Sequence, residues 1–419
     1  MSKKIRLLYY GDTPQKCTGF GNVAKNILAN LHATGKYDIS IMGINSYGDP
    51  HDFPYTIYPA GVNDQGDVYG RQKLLNLLRD KSQEFDVLFT LQDTFIMASI
   101  GESIKKLRDG FIQEKDGKKI FQKGRGFKWI YYYPIDAVPE KEWLEKSVKF
   151  ADVAVPYTKY AKEKSLKCVD REYETIYHGI DTKTFYPMSK EDKDAFAKKF
   201  SPDTDVKSNF LIVNVNRNQE RKGLVYTLLA FKLFKSIVPG AVLYTHCDVE
   251  ADRGGNMKKM AQRLGVDENW LYPNPEAYRS SNAFDDAYMN GLYNLADINV
   301  STTLGEGFGL SMIEAIATKT LNVFPNNTSL TEILSDKRGL LYKSGNPPTQ
   351  ILCNGPLDNS LIRPIPNVED MVEKMLWAYS HPDASKEITE TAYNWALENI
   401  TWEKLCSDWD KLIEKTLKK

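Results

Sequence analysis

The chain has 419 residues, 42% of them hydrophobic and 26% charged, with 55 basic and 55 acidic side chains. That length exceeds what one ordinary hydrophobic core serves, so two domains are expected. The hydrophobic fraction excludes bulk disorder, and zero net charge excludes a global field that would draw nucleic acid or a membrane. No stretch approaches the roughly 18 consecutive apolar residues of a membrane-spanning helix, and the opening MSKKIRLLYYGD reads as a first strand rather than a leader. The five cysteines, Cys17, Cys168, Cys247, Cys353 and Cys406, are far apart and form no C-x-x-C. They point away from a disulfide framework or zinc and toward a reducing cytosol.

Residues 5–10 are expected to form a buried strand. Residues 22–32 then place Val23, Ile27, Leu28 and Leu31 on one helical face. Thr18-Gly19-Phe20-Gly21-Asn22 opens that helix. Gly19-x-Gly21-x-x-Ala24 is close to a dinucleotide fingerprint, but Asp12 to Thr18 separate it from the strand end, where the fingerprint needs a tight turn. It is read instead as a mobile glycine loop that covers a phosphate from the opposite domain.

Strands are expected near 38–44 and 86–91, a helix over 71–81, and a polar stretch before it. The insertion 105–128 carries nine basic residues against three acidic ones. It reads as a solvated hairpin, with contact to a polyanionic acceptor as the sharper alternative. The tyrosine-rich strand 128–134 leads to Asp136, which then lies at the rim of a cleft, either to touch sugar or acceptor or to cap a helix. Strands 151–155 and 174–177, followed by His178-Gly179-Ile180-Asp181, close the first half, with His178 read as structural.

The alternation restarts after a charged helix at 191–200. Strands are expected at 210–215, 241–245, 270–272, 297–300 and 321–324, with helices at 224–237, 255–264 and 285–294 between them. The proline-rich segment 346–367 reads as loop, and helices follow over 368–380, 386–399 and 402–417. Strands alternating with helices give parallel βαβ units. Two doubly wound halves are therefore expected, 1–187 and 188–385, followed by helices over 386–419. Ligands bind beyond the carboxyl ends of such strands, here in the cleft between halves.

Two turns carry the candidate chemistry. In GEGFGLSMIEAIATK, Gly305, Gly307 and Gly309 alternate around Glu306, and a helix begins at Leu310. Glycine lets backbone approach a ligand, and a helix start presents unpaired N–H groups and a positive dipole end to a phosphate. Glu306 suits sugar hydroxyls. Glu314 has two readings: a capping box with Ser311, or a carboxylate that grips the hydroxyls of a ribose. In NRNQERKG, Arg217 and Lys222 are spaced to close on a diphosphate, with Arg221 read as merely exposed. The pattern is not a Walker loop. The acidic run Asp248, Glu250 and Asp252 reads as solvated loop, and the histidines show no metal-ligand spacing, so no metal is expected.

TGFGNVAKNIL, then HGID with Phe185 and Pro187, NRNQERKG, and LYNLADINVSTTLGEGFGLSMIEAIA occur in this order along nearly the whole chain. Together they resemble retaining glycosyltransferases of the glycosyltransferase family 4 type, which have the GT-B fold. YGDTP, TGFGN, YYYPIDAVP and HGID are similar to a subgroup frequent in phages and prokaryotes. The resemblance implies two Rossmann-like domains facing a cleft, with the C-terminal helix crossing back to the first. It implies transfer of a hexose from a UDP- or GDP-sugar to a hydroxyl, with retention and without a cofactor or metal.

By the same resemblance, Arg217 and Lys222, with Gly19, Phe20 and Gly21, hold the diphosphate, and Glu314 holds the ribose. Glu306, Gly307, Phe308, Gly309 and Leu310 hold the sugar, with Glu306 as a catalytic position; Asp136 is the second catalytic candidate from its place after the tyrosine-rich strand, not from the resemblance. The acceptor is left open among glycan, protein, cell-wall polymer and modified DNA. Two departures stand out: Asp136 follows a strand that often ends near a histidine, and Lys319-Thr320 replace a small residue and glycine. The rival readings are a non-catalytic sugar- or nucleotide-binding protein and a nicotinamide-dependent oxidoreductase.

Overall fold

The structure is a computed structural model that describes residues 3–16, 18–61, 66–115, 118–201, 206, 208–250, 254–279, 284–345, 350–352 and 361–418. Cys17, Cys353, Asp252 and part of the proline-rich segment lie outside the described residues. The chain forms two compact units. One comprises Met1–Ile135, Pro139–Gly179 and Trp402–Lys419, and the other Asp136–Val138 and Ile180–Thr401. The passage at Gly179 comes earlier than the expected boundary at 187, and of the C-terminal helices only the last belongs to the first unit.

The strands of the first unit are β1 (Ile5–Asp12), β2 (Tyr37–Ile44), β3 (Thr56–Pro59), β4 (Val87–Leu91), β5 (Gly110–Lys115), β6 (Lys118–Lys123), β7 (Lys128–Tyr133) and β8 (Val153–Pro156). Six form a parallel sheet in the order β3-β2-β1-β4-β7-β8. Helices cover both faces of such a sheet, so its central strands are near-continuous apolar runs, as in VLFTL and WIYYY. The buried polar tips find partners. Trp129 Nε1 donates to Thr90 Oγ1 (2.9 Å), Tyr131 to the Gln92 carbonyl (3.1 Å) and Tyr133 to Ser165 Oγ (2.9 Å).

Strands β5 and β6 form the expected separate hairpin from the basic insertion. The strand expected at 174–177 is absent. That segment makes isolated contacts, such as Glu174 N–H to the Ala154 carbonyl, rather than a ladder. The helix Trp402–Leu417 buries Trp402, Leu405, Cys406, Trp409, Leu412 and Ile413 along one stripe. Trp409 packs edge-on against Phe89 and Tyr132 at 4.9 and 4.7 Å, and Asp410 takes Lys36 and Tyr37 at 2.6 Å each.

The second unit contains β9 (Leu211–Asn214), β10 (Val242–Thr245), β11 (Trp270–Leu271), β12 (Ile298–Val300), β13 (Leu321–Pro325), β14 (Leu340–Tyr342), β15 (Gln350–Leu352) and β16 (Ile362–Pro364). Six again form a parallel sheet, ordered β11-β10-β9-β12-β13-β14. The proline-rich segment is not all loop, because β15 and β16 pair antiparallel. Pro364 is tolerated there because a two-stranded ribbon leaves an edge where no N–H is needed.

Candidate active site

Strands β9 and β12 are neighbours, and the chain builds outward on either side of them. Such a reversal opens a crevice beyond the carboxyl ends of the two central strands. The turns that leave them are 215–223 and 301–309, the two stretches singled out in the sequence.

The first turn contains the single 3₁₀ turn Glu220–Lys222 and ends at Gly223, whose left-handed φ of 59° starts the helix Leu224–Ile237. A Cβ at Gly223 would lie 2.6 Å from the Thr302 carbonyl, so only glycine fits. The second turn is stitched to the first. Leu304 N–H donates to the Arg221 carbonyl (2.7 Å), and Thr302 Oγ1 donates to the Gly223 carbonyl (2.9 Å). A Cβ at Gly305 would come within 2.0 Å of the Asp136 carbonyl. Glu306 N–H donates to Thr328 Oγ1 (3.0 Å), while Ser329 Oγ donates to the carbonyls of Glu306 (2.9 Å) and Phe308 (3.0 Å). Gly309, with φ 102°, then begins the helix Leu310–Ala317, and no side chain caps it.

This start overturns the capping-box reading of Glu314. The box needs Ser311 just before the first helical residue, whereas the helix already begins at Leu310. Glu314 instead accepts a hydrogen bond from the Tyr293 hydroxyl at 2.8 Å. Burial pushes its carboxyl pKa up to about 7, against the opposing pull of Tyr293.

Five charged side chains meet at the paired turns. Lys222 contacts the Glu306 carboxylate. Arg221 Nη1 lies 3.9 Å from Glu306 Oε2 and 3.6 Å from Asp136 Oδ2, and donates to the Gly305 carbonyl at 3.2 Å. Arg363, on β16, donates to the Asp136 carbonyl (2.8 Å) and to its Oδ2 (3.2 Å). Lys222 and Glu306 are each only 12% exposed. Burial works to raise the Glu306 pKa, but the Lys222 and Arg221 charges outweigh it and hold the carboxyl below its ordinary value. Asp136 is held down in the same way by Arg363 and Arg221. Burial, helped by Arg221 and opposed by Glu306, lowers Lys222 to about 8. Near neutral pH the cluster therefore carries three cations against two anions, an excess that suits an anionic ligand.

Several expectations need correction. Arg221 is not merely exposed: its guanidinium faces both carboxylates, while Arg217 is the exposed arginine of the turn. Asp136 caps no helix. The next helix, Lys141–Glu145, has Glu140 at its N-cap, and Asp136 belongs by contacts to the second unit. Gly19, Phe20 and Gly21 are not a mobile loop but the first turn of the helix Gly19–Ala33. It is capped by Thr18, which accepts from Gly21 N–H (3.0 Å) and donates to Asp12 (2.6 Å).

Arg363 went unnoticed in the sequence because it lies in proline-rich chain 227 residues from its partner. His178 is buried against Tyr132 (2.7 Å) with its pKa pulled down to about 3 by burial, a structural place as expected. Asp248 is held by both arms of Arg279 (2.6 and 3.0 Å) and Glu250 by Lys258 (2.6 Å). Among the described residues no group of acidic, histidine or cysteine side chains is arranged to hold a metal. Lys319 takes the left-handed conformation (φ 60°) where glycine is common. It is held by Glu390 at 2.7 and 2.8 Å and by the face of Tyr393 at 4.6 Å.

No protein-family model matches the chain. Over 253 residues, 55% of the chain, it is 24% identical to EpsD of Bacillus subtilis, itself a glycosyltransferase by provisional assignment, and it spans 58% of that protein's length. Solved structures are similar over nearly the whole chain. Sucrose-phosphate synthase from Thermosynechococcus elongatus gives a TM-score of 0.74 at 14% identity, covering 98% of this chain and 99% of that one. A glycosyltransferase from Rickettsia africae gives 0.70 at 15%, covering 99% of each. HepE from Anabaena, in complex with UDP-glucose, gives 0.68 at 13%, again covering 99% of each. The fold is therefore α/β of the GT-B class, with a six-stranded parallel sheet in each unit.

Proposed function

We propose that the protein transfers a hexose from a nucleotide diphosphate sugar to an acceptor hydroxyl, with retention of configuration. The observation that carries this reading is the charge cluster at the paired turns: Lys222 and Arg221 beside Glu306, next to an uncapped helix start, with net positive charge. The UDP-glucose complex of HepE supports the choice of donor class, and the likeness to EpsD supports glycosyl transfer.

In this reading the donor diphosphate lies against Lys222, the arginines Arg217 and Arg221, and the helix start at Leu310. Glu306 leaves Lys222 to the phosphate and takes sugar hydroxyls, alongside backbone from Gly307 to Leu310. Glu314, with its raised pKa, meets the ribose hydroxyls both as donor and as acceptor. Asp136 orients the acceptor. The bond from the anomeric carbon to the phosphate oxygen breaks as the bond to the acceptor oxygen forms. The acceptor proton passes to the leaving diphosphate, whose charge the cluster already faces, so no reorganisation is needed at that moment. A reducing compartment such as the cytosol suits the free thiols Cys168, Cys247 and Cys406.

The test is titration calorimetry with UDP and GDP, followed by incubation with UDP- and GDP-hexoses and measurement of nucleoside diphosphate release. Binding of one nucleotide and slow hydrolysis of its sugar conjugate are expected. If neither nucleotide binds and no sugar nucleotide is hydrolysed, the reading fails.

A further inference from the structure

Arg363 is 2% exposed, the lowest value of any Asp, Glu, Lys or Arg among the described residues. A guanidinium cannot shed its charge on burial, so it must be paired. It donates to Asp136, to both the main-chain carbonyl (2.8 Å) and Oδ2 (3.2 Å). Nη1 of Arg363 would also lie 2.8 Å from a Cβ at Gly305, so the guanidinium rests against the backbone of the turn that carries Glu306. The same Asp136 oxygen lies 3.6 Å from Arg221. Asp136 thus stands between two arginines, and Arg221 stands between two carboxylates, Asp136 and Glu306.

Resting on the donor-site reading above, we propose that Arg363 is a positioning residue that acts through Asp136. By occupying the Asp136 carboxylate from its buried side, it leaves Arg221 available to an incoming diphosphate. Without Arg363, the half-buried carboxylate falls back on Arg221, and carboxylate and phosphate compete for one guanidinium. Neutralising Asp136 removes the competitor, so the two single substitutions act in opposite directions.

The test is a double-mutant cycle on UDP and GDP affinity, measured by titration calorimetry for the unmodified protein, Arg363→Met, Asp136→Asn and the double variant. Arg363→Met is expected to weaken binding by about tenfold or more, the scale of one competing charged contact. Asp136→Asn binds at least as tightly as the unmodified protein, and the double variant matches Asp136→Asn. Arg363→Lys, which keeps the charge but loses the two-armed contact, falls between and serves if the methionine variant does not fold. Equal weakening by Arg363→Met in both backgrounds marks a merely structural role and overturns the proposal, as does no weakening at all. If the unmodified protein binds neither nucleotide, the donor-site reading falls and takes this proposal with it. If it binds and the cycle is additive, only this proposal falls.

Discussion

Replacing Lys222 by alanine removes one of the three cations of the cluster and leaves Glu306 with Arg221, at 3.9 Å, as its nearest remaining positive group. A hydrogen bond to a charged group contributes about 1.5–3 kcal/mol, so nucleoside diphosphate affinity at pH 7 is expected to fall roughly ten- to hundredfold. Arg221 stays beside the vacancy, which favours the lower half of that range. The pH dependence makes the test sharper. In the free protein Lys222 titrates at about 8, because burial disfavours its charge. Anion binding needs the protonated form. The affinity of the unmodified protein is therefore steady below pH 8 and falls above it, approaching about tenfold per pH unit, until it meets the level of the alanine variant. Lys222→Ala shows no such fall. Titration calorimetry with UDP and GDP between pH 6.5 and 9.5, buffer ranges chosen around that pKa, reads both effects. Equal affinities at pH 7, or parallel pH profiles for the two proteins, would refute the role assigned to Lys222.

Glu306→Gln removes the anion that neutralises Lys222, so UDP or GDP affinity is expected to hold or tighten while release of nucleotide from the sugar conjugate falls about a hundredfold; full turnover sinks the sugar-holding role. Gly305→Ala forces a Cβ to within 2.0 Å of the Asp136 carbonyl. It should destabilise the protein by about 1–3 kcal/mol, read as a lowered thermal midpoint; an unchanged midpoint contradicts the close packing of that turn. The folded-state pKa of Glu314 is raised to about 7, so the folded protein holds a proton that the unfolded chain has already released. Stability contributed by this group is present below the unfolded carboxyl pKa and is lost as pH rises through 7. Glu314→Gln should therefore be more stable than the unmodified protein at pH 8, by up to about 3 kcal/mol, with the difference vanishing near pH 4. Denaturant titrations at the two pH values check this, and a difference independent of pH contradicts the raised pKa.

Much of the second sheet is legible in the sequence because its strands are short apolar runs separated by helices of helical period. All five of its expected strands correspond to observed ones, β9 through β13, and the turns after β9 and β12 are the ones that glycine and charge patterns mark out. β14 and the β15–β16 ribbon escape notice, since three-residue strands leave too short a pattern and prolines mask the ribbon. At the site, Lys222 and Glu306 stand out because each sits in a turn with an evident backbone purpose. Arg221 does not, because a basic residue beside another basic residue looks like solvated surface until Asp136 and Glu306 are seen to face it. The capping-box reading of Glu314 fails for a local reason. A capping box is a four-residue pattern, and a shift of the helix start by one or two residues abolishes it.

What the sequence determined by itself is whatever depends on neighbours in the chain: the alternation of strands and helices, the glycine turns at Gly223, Gly305 and Gly309, and the apolar stripe of the last helix. Those follow from backbone sterics and periodicity, which act over a few residues. Tertiary structure alone decided which charges share one site. Lys222 and Glu306 lie 84 residues apart, and Arg363 and Asp136 lie 227 apart. A charge in the sequence carries no label for its partner. Pairing appears only when burial raises the cost of an isolated charge enough to bring the partners together.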